Sequence, residues 1–130
     1  MNTASLTLAY WCVLLVALLP YLTTFAAKAG QYGPRENQAP RDWATRQTGW
    51  RARLLAAAAN GFEVLPLFIG VVVIAHQLGY RQSTLDLCAA AYLVLRVIYV
   101  VVYGAGFGTL RTLVWGLGLA LNICILFIGK

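Results

Sequence analysis

The sequence predicts an all-α integral membrane protein, a four-transmembrane-helix bundle forming a single domain over 1–130, and three observations carry that reading. Hydrophobic residues make up 61% of the chain and charged residues only 11%, a balance that would leave a soluble domain of this size coated in apolar surface. Four apolar stretches, 6–27, 54–78, 85–103 and 112–129, each fall within the roughly 17 to 25 residues that a spanning helix needs. Strand-like alternation is absent and Leu, Ala and Val dominate the stretches, which argues against a β-barrel.

With their flanks the helices are expected at about 6–27, 50–78, 85–107 and 112–129, joined by a first loop at about 28–49. No Lys or Arg precedes the first apolar run, and that run has the length of a full span rather than of a signal core, so it is expected to stay as helix one. In the first loop Gly30, Gly33, Pro34 and Pro40 interrupt helix and charges cluster. Gly104, Gly106 and Gly108 follow helix three without a preceding strand or a following lysine, so they end a helix rather than cradle phosphate. Gly116-x3-Ala120 on helix four permits close helix contact. Cys12, Cys88 and Cys124 are isolated in apolar runs and His76 has no ligand partner at metal spacing; packing roles are expected and no metal site.

The ten basic residues set an expected orientation. Lys28, Arg35, Arg41, Arg46, Arg51 and Arg53 lie between helices one and two and Arg111 between three and four, against Arg81 and Lys130 on the other side. Retention of basic residues in the cytoplasm then puts the first loop inside and both termini outside, as in a multi-pass protein of a bacterial inner membrane. Trp43 and Trp50 on one side, Tyr80 on the other, and Trp11 and Trp115 near helix ends suit interfacial anchoring. The net charge of +6 is spread through a juxtamembrane segment broken by Glu36 and Asp42, which suits anionic headgroups of the lipid bilayer and not nucleic acid.

Ionisable residues inside spans are the informative ones, because each costs about 2.5 to 3.5 kcal/mol at a helix centre on insertion scales. Glu63 falls near the middle of helix two and Arg96 near the middle of helix three. Antiparallel neighbours bring them to similar depth, where they are able to neutralise one another. Arg53, Asn60 and Glu63 are spaced i, i+7 and i+10, and Tyr92, Arg96, Tyr99 and Tyr103 are spaced i, i+4, i+7 and i+11. Each set therefore shares one helix face. Two polar stripes on facing helices make either a cleft for a polar ligand or interhelical glue around an ion pair. Helices one and four carry no such stripe and read as wall.

The Arg53-x6-Asn60-x2-Glu63-x2-Pro66-Leu67-Phe68 pattern, the Arg96-x2-Tyr99-x3-Tyr103 pattern followed by Arg111, and the loop segment Asn37-Gln38-Ala39-Pro40-Arg41 together resemble bacterial-type members of the MAPEG family, the membrane-associated proteins in eicosanoid and glutathione metabolism. The resemblance implies a homotrimer that holds glutathione, as co-substrate, between subunits near the cytoplasmic leaflet and activates its thiol for attack on a small lipophilic electrophile, in a transferase or peroxidase reaction without metal. It implies Arg53, Asn60, Glu63, Arg96, Tyr99 and Tyr103 as the glutathione-binding set. Cationic Arg53 and Arg96 suit two carboxylates, anionic Glu63 an ammonium, and Asn60 and the tyrosines the peptide groups. Arg111 is the implied catalytic residue, its guanidinium favouring the thiolate.

The chain also departs from the family pattern. Ala56 stands where another arginine is usual, with Arg51 a charge able to compensate for it. Val64 stands where eicosanoid enzymes carry tyrosine, and Arg111 follows Tyr103 by eight residues rather than seven. Two readings from other classes accompany this one: a small proton-coupled transporter in which Glu63 binds the proton, and a non-catalytic membrane subunit whose stripes only pack.

Overall fold

A computed structural model describes residues 5–128. Helix α1 runs Leu8–Lys28, a short helix α2 Pro40–Thr45, and α3, α4 and α5 run Gly49–Gln77, Gln82–Ala105 and Gly108–Ile125. Among the described residues there is no strand. The four long helices are each long and apolar enough to cross a membrane, and the protein is an integral, multi-pass, all-α membrane protein. Helix α5 starts at Gly108, four residues before the expected 112, because Gly106 takes a left-handed conformation (φ 92°) that ends α4 and lets the chain turn back at once. The expected end of the last helix at Gly129, and Lys130, lie outside the described residues.

Helices α3 and α4 form the central antiparallel pair. Helix α1 packs on both, chiefly α3, while α5 leans on α4 and touches α3 lightly. Among the described residues α1 and α5 do not meet, so they occupy opposite flanks of the pair. The loose α3–α5 seam, floored by α4, positions the site described below.

Close approach in the tight seams depends on small residues. A Cβ at Gly61 of α3 would stand 2.7 Å from Pro20 Cγ, and one at Gly104 of α4 would stand 2.9 Å from Leu54 Cδ2. Pro20 lies inside α1 and removes one helical donor, so a rigid ring faces the only residue type without a side chain. The outer core is apolar: Cys12 and Val16 of α1 meet Phe68, Val71 and Val72 of α3 and Ala89 and Tyr92 of α4. The Phe68 and Tyr92 rings stack at 4.4 Å.

Polar groups fasten the helix ends. Asp86 of α4 accepts from the Ala9 backbone N–H at 2.9 Å and from Gln82 Nε2 at 2.6 Å, while Thr7 Oγ1 accepts from the Tyr10 N–H at 3.1 Å. A carboxylate from one helix thus satisfies the donors at the N-terminus of another. At the opposite end Arg51 Nη1 donates to the Ala27 carbonyl at 2.7 Å, near the C-terminus of α1. The first loop is folded rather than open. Trp43 of α2 is buried against the Tyr32 ring (edge-on, 5.1 Å), and Lys28 Nζ stands 4.2 Å over the same ring. Trp43 therefore serves loop packing, correcting its expected role as an interfacial anchor; Trp50 is exposed and keeps that suitability.

The Pro20–Gly61 contact yields a stability prediction. Gly61→Ala should destabilise the protein by about 1 to 3 kcal/mol through overpacking, seen as a lower thermal midpoint in detergent, and Pro20→Ala combined with it should recover most of the loss.

Candidate functional site

Arg96 is the residue from which the site is built. It lies in α4, 4% exposed, and a guanidinium so buried must be hydrogen-bonded because its charge cannot be shed. Its Nη2 donates to Asn60 Oδ1 of α3 at 2.9 Å, and its Cζ stands 4.2 Å from the centroid of Tyr99, one turn further along α4. The partner of Arg96 is therefore Asn60 and the aromatic face, not Glu63, which corrects the ion pair that similar depth suggested. Glu63 is the central residue of the 29-residue α3 and is exposed on the surface of the single chain.

From Arg96 the side chains continue as a ladder toward the α4–α5 turn. The Tyr99 and Tyr103 rings meet edge-on at 5.6 Å, and Arg111 Cζ of α5 stands 4.3 Å from the Tyr103 centroid. Two rings thus lie between two cations, an arrangement in which each guanidinium gains the attraction of a ring face. Arg53 of α3 donates from Nε to the Gly104 carbonyl at 2.9 Å and so satisfies one acceptor at the C-terminus of α4. With five N–H donors, an arginine is not exhausted by one carbonyl.

Three adjoining cavities follow this ladder along the α3–α5 seam. Arg53, Tyr103, Gly106, Phe107 and Arg111 border the one at the turn (≈ 170 Å³). Asn60, Tyr99, Arg111, Thr112 and Trp115 border the next (≈ 180 Å³). Glu63, Arg96, Trp115 and Asn122 border the third (≈ 150 Å³), with Val64, Leu67, Tyr92 and Leu119. Each is smaller than the roughly 300 Å³ at which ligand pockets begin. Shared borders, Arg111 between the first two and Trp115 between the last two, make them one groove, with Arg53 and Arg111 at the turn end and Glu63, Arg96 and Asn122 among apolar side chains at the far end.

All seven residues singled out from the sequence border that groove: Arg53, Asn60 and Glu63 from α3, Arg96, Tyr99 and Tyr103 from α4, and Arg111 from α5. Arg51 does not. It is spent on the Ala27 carbonyl and stacks 4.4 Å from the Trp50 ring, so it does not replace the charge missing at Ala56. The sequence reading of helix four as wall is also corrected, since Trp115, Leu119 and Asn122 line the groove beside Arg111. Their spacing from Arg111, i+4, i+8 and i+11, is the helical-face signal that finds them. Among the described residues no group of three or more His, Cys, Asp or Glu could hold a metal ion.

The model of the MAPEG family matches residues 8–129, nearly the whole chain. The protein is a member of the MAPEG family. No curated protein and no solved structure matches the chain in the corresponding comparisons. Family membership makes it a membrane protein of the glutathione-related kind. In this MAPEG chain the residues of the two polar stripes that carried the resemblance border a single groove.

The Arg96–Asn60 contact makes a prediction that does not depend on any ligand. Asn60→Leu should lower stability by about 1 to 3 kcal/mol, because a buried guanidinium loses its hydrogen-bond acceptor, and the Asn60→Leu, Arg96→Leu double variant should regain stability over that single one. Thermal unfolding in detergent checks both.

Proposed function

We propose that this MAPEG protein binds glutathione in the α3–α5 groove and activates its thiol for transfer to a lipophilic electrophile that arrives from the bilayer. The observation that carries the reading is the confluence in one groove of three arginines, a carboxylate, two amides and three phenols. Glutathione has two carboxylates, one ammonium, two peptide units and a thiol. Arg53 and Arg96 match the carboxylates, Glu63 the ammonium, and Asn60, Tyr99 and Tyr103 the peptide and remaining polar groups.

Arg111 has the role of thiol activation. An unperturbed thiol has a pKa of about 8.5, so at neutral pH only a few per cent is thiolate. A guanidinium beside the sulfur favours the charged form and leaves the nucleophile ready. The sulfur then attacks the electrophilic carbon of the acceptor, and the displaced group or newly formed anion takes up a proton from water. Arg111 borders both the turn cavity and the middle one, and this position between the two carboxylate-binding arginines, Arg53 at the turn and Arg96 in the far cavity, suits a thiol in the middle of the tripeptide.

Assembly belongs to the same proposal. Glu63 is exposed on the single chain at the middle of a spanning helix, where a lipid-facing carboxylate costs about 2.5 to 3.5 kcal/mol. A neighbouring copy laid over the groove removes that cost and enlarges three small cavities into one closed pocket, in keeping with a homotrimer that binds its ligand between subunits. The excess of basic residues in the first loop puts that loop and the α4–α5 turn on the cytoplasmic side. The same exposed Glu63 also favours a second reading, proton-coupled transport. That reading predicts substrate flux into liposomes driven by a pH gradient and abolished by Glu63→Gln, and it gives the arginine–tyrosine ladder no role.

Isothermal titration of glutathione into detergent-solubilised protein should show binding at or below millimolar concentration, weakened at least tenfold by Glu63→Gln and by Arg96→Ala. No binding by the wild type at millimolar ligand overturns the proposal. Thiolate absorbance of bound glutathione at neutral pH should fall in Arg111→Ala, and an unchanged signal removes Arg111 from activation. A cysteine introduced at Arg41 should react with an impermeant maleimide from the cytoplasmic face only, and one at Arg81 from the opposite face only.

A further inference from the structure

The cavity farthest from the turn contains a polar atom that the ladder does not explain. Asn122 of α5 is 1% exposed, and its Oδ1 is buried with no hydrogen-bond partner. Buried polar groups are nearly always satisfied, and an orphaned acceptor carries its full desolvation cost. Asn122 also borders the ≈ 150 Å³ cavity, whose other walls are the apolar Val64, Leu67 and Leu119, the rings of Tyr92 and Trp115, and, from the ladder, Glu63 and Arg96. It lies fourteen residues beyond Gly108, some 21 Å along the helix from the turn, in the half of the bilayer away from Arg53 and Arg111.

From these observations we infer that the Asn122 end of this chamber, beside Tyr92 and past the Arg96 and Glu63 assigned to glutathione, is a binding compartment for the lipophilic partner, and that Asn122 selects molecules offering one hydrogen-bond donor, a hydroxyl or N–H, on an otherwise apolar body. Among the mostly apolar side chains at that end, a buried acceptor lacking a donor is complementary to such a molecule. A compound whose hydroxyl is capped by methyl fills the same walls yet leaves Oδ1 as it was, and the difference between the two is the discrimination that a site built for a polar group achieves. The inference rests on the proposed function only for the role of the occupant, as acceptor of the thiol. The chamber and its preference exist with or without glutathione.

The test uses 2-naphthol and 2-methoxynaphthalene as probes, titrated into detergent-solubilised full-length protein in the absence of glutathione, with quenching of Trp115 fluorescence as the signal. Trp115→Phe identifies the share of the quenching that arises in the chamber. Wild-type protein should bind the naphthol more tightly than the ether. Asn122→Leu should weaken the naphthol about tenfold, the worth of one hydrogen bond, while leaving the ether unchanged or tighter. The variant should keep or raise the thermal midpoint of the wild type, because an unpaired buried acceptor is replaced by an apolar group of similar size. Leu119→Phe, which fills the chamber, should weaken both probes.

Equal binding of both probes by the wild type overturns the inference, as does an Asn122→Leu variant with undiminished preference for the naphthol. Binding of both probes that ignores Leu119→Phe places them elsewhere and overturns it too. Failure of glutathione to bind, with the naphthol preference intact, counts against the proposed function and leaves the chamber standing.

Discussion

A guanidinium in the middle of a membrane is a constraint that most of this fold answers. Arg96 cannot lose its charge, and it sits 4% exposed halfway along a spanning helix. Asn60 supplies an acceptor at 2.9 Å and Tyr99 a ring face at 4.2 Å, so α3 and α4 must lie side by side with those positions at equal depth. That requirement sets the register of the central pair. Once it is set, Tyr103 follows Tyr99 by one turn and Arg111 comes to rest over Tyr103 from the next helix. The polar ladder is thus the consequence of one buried charge and of helical periodicity.

The same constraint explains the unequal seams. Where α1 meets α3, Gly61 admits the Pro20 ring, and where the ends of α3 and α4 meet, Gly104 admits Leu54. Gly118 of α5 accepts the edge of Tyr92, whose Cε1 would be 3.1 Å from an added Cβ. Contact of α5 with the bundle is accordingly concentrated on α4, and the α3–α5 seam stays open along the ladder. The groove is the space left when two helices pack on a pair held together by polar groups at its centre. Its outer boundary is lipid or another copy of the chain, and an exposed mid-span carboxylate, Glu63, favours the copy.

Much of this was legible in the sequence, and what was not has physical reasons. Hydropathy marks the four spans because every lipid-exposed backbone group has to be satisfied within its own helix. The stripes on α3 and α4 were visible because charged and aromatic residues are conspicuous against Leu and Val. Pairing was less visible: spacing puts Glu63 and Arg96 at one depth, but which acceptor a guanidinium takes is decided by side-chain length and direction, and Asn60 holds it. Arg51 looked able to stand in for the charge absent at Ala56, and only tertiary contact shows it turned to the Ala27 carbonyl. Trp43 looked like an interfacial anchor because nothing local announces its contact with Tyr32. Asn122 was overlooked because a single amide in an apolar helix gives no pattern until it is counted from Arg111 and Trp115.

On the proposed function the ladder is the wall of a ligand site completed by a second copy of the chain, and not glue that fills itself. A crystal structure of the protein grown with glutathione tests this most directly. The tripeptide is expected to lie extended along the α3–α5 groove, with a carboxylate against Arg96, the sulfur toward Arg111, and a neighbouring subunit closing the far side. A groove filled by the protein's own side chains, with Glu63 facing lipid and no ligand against Arg96, would contradict it.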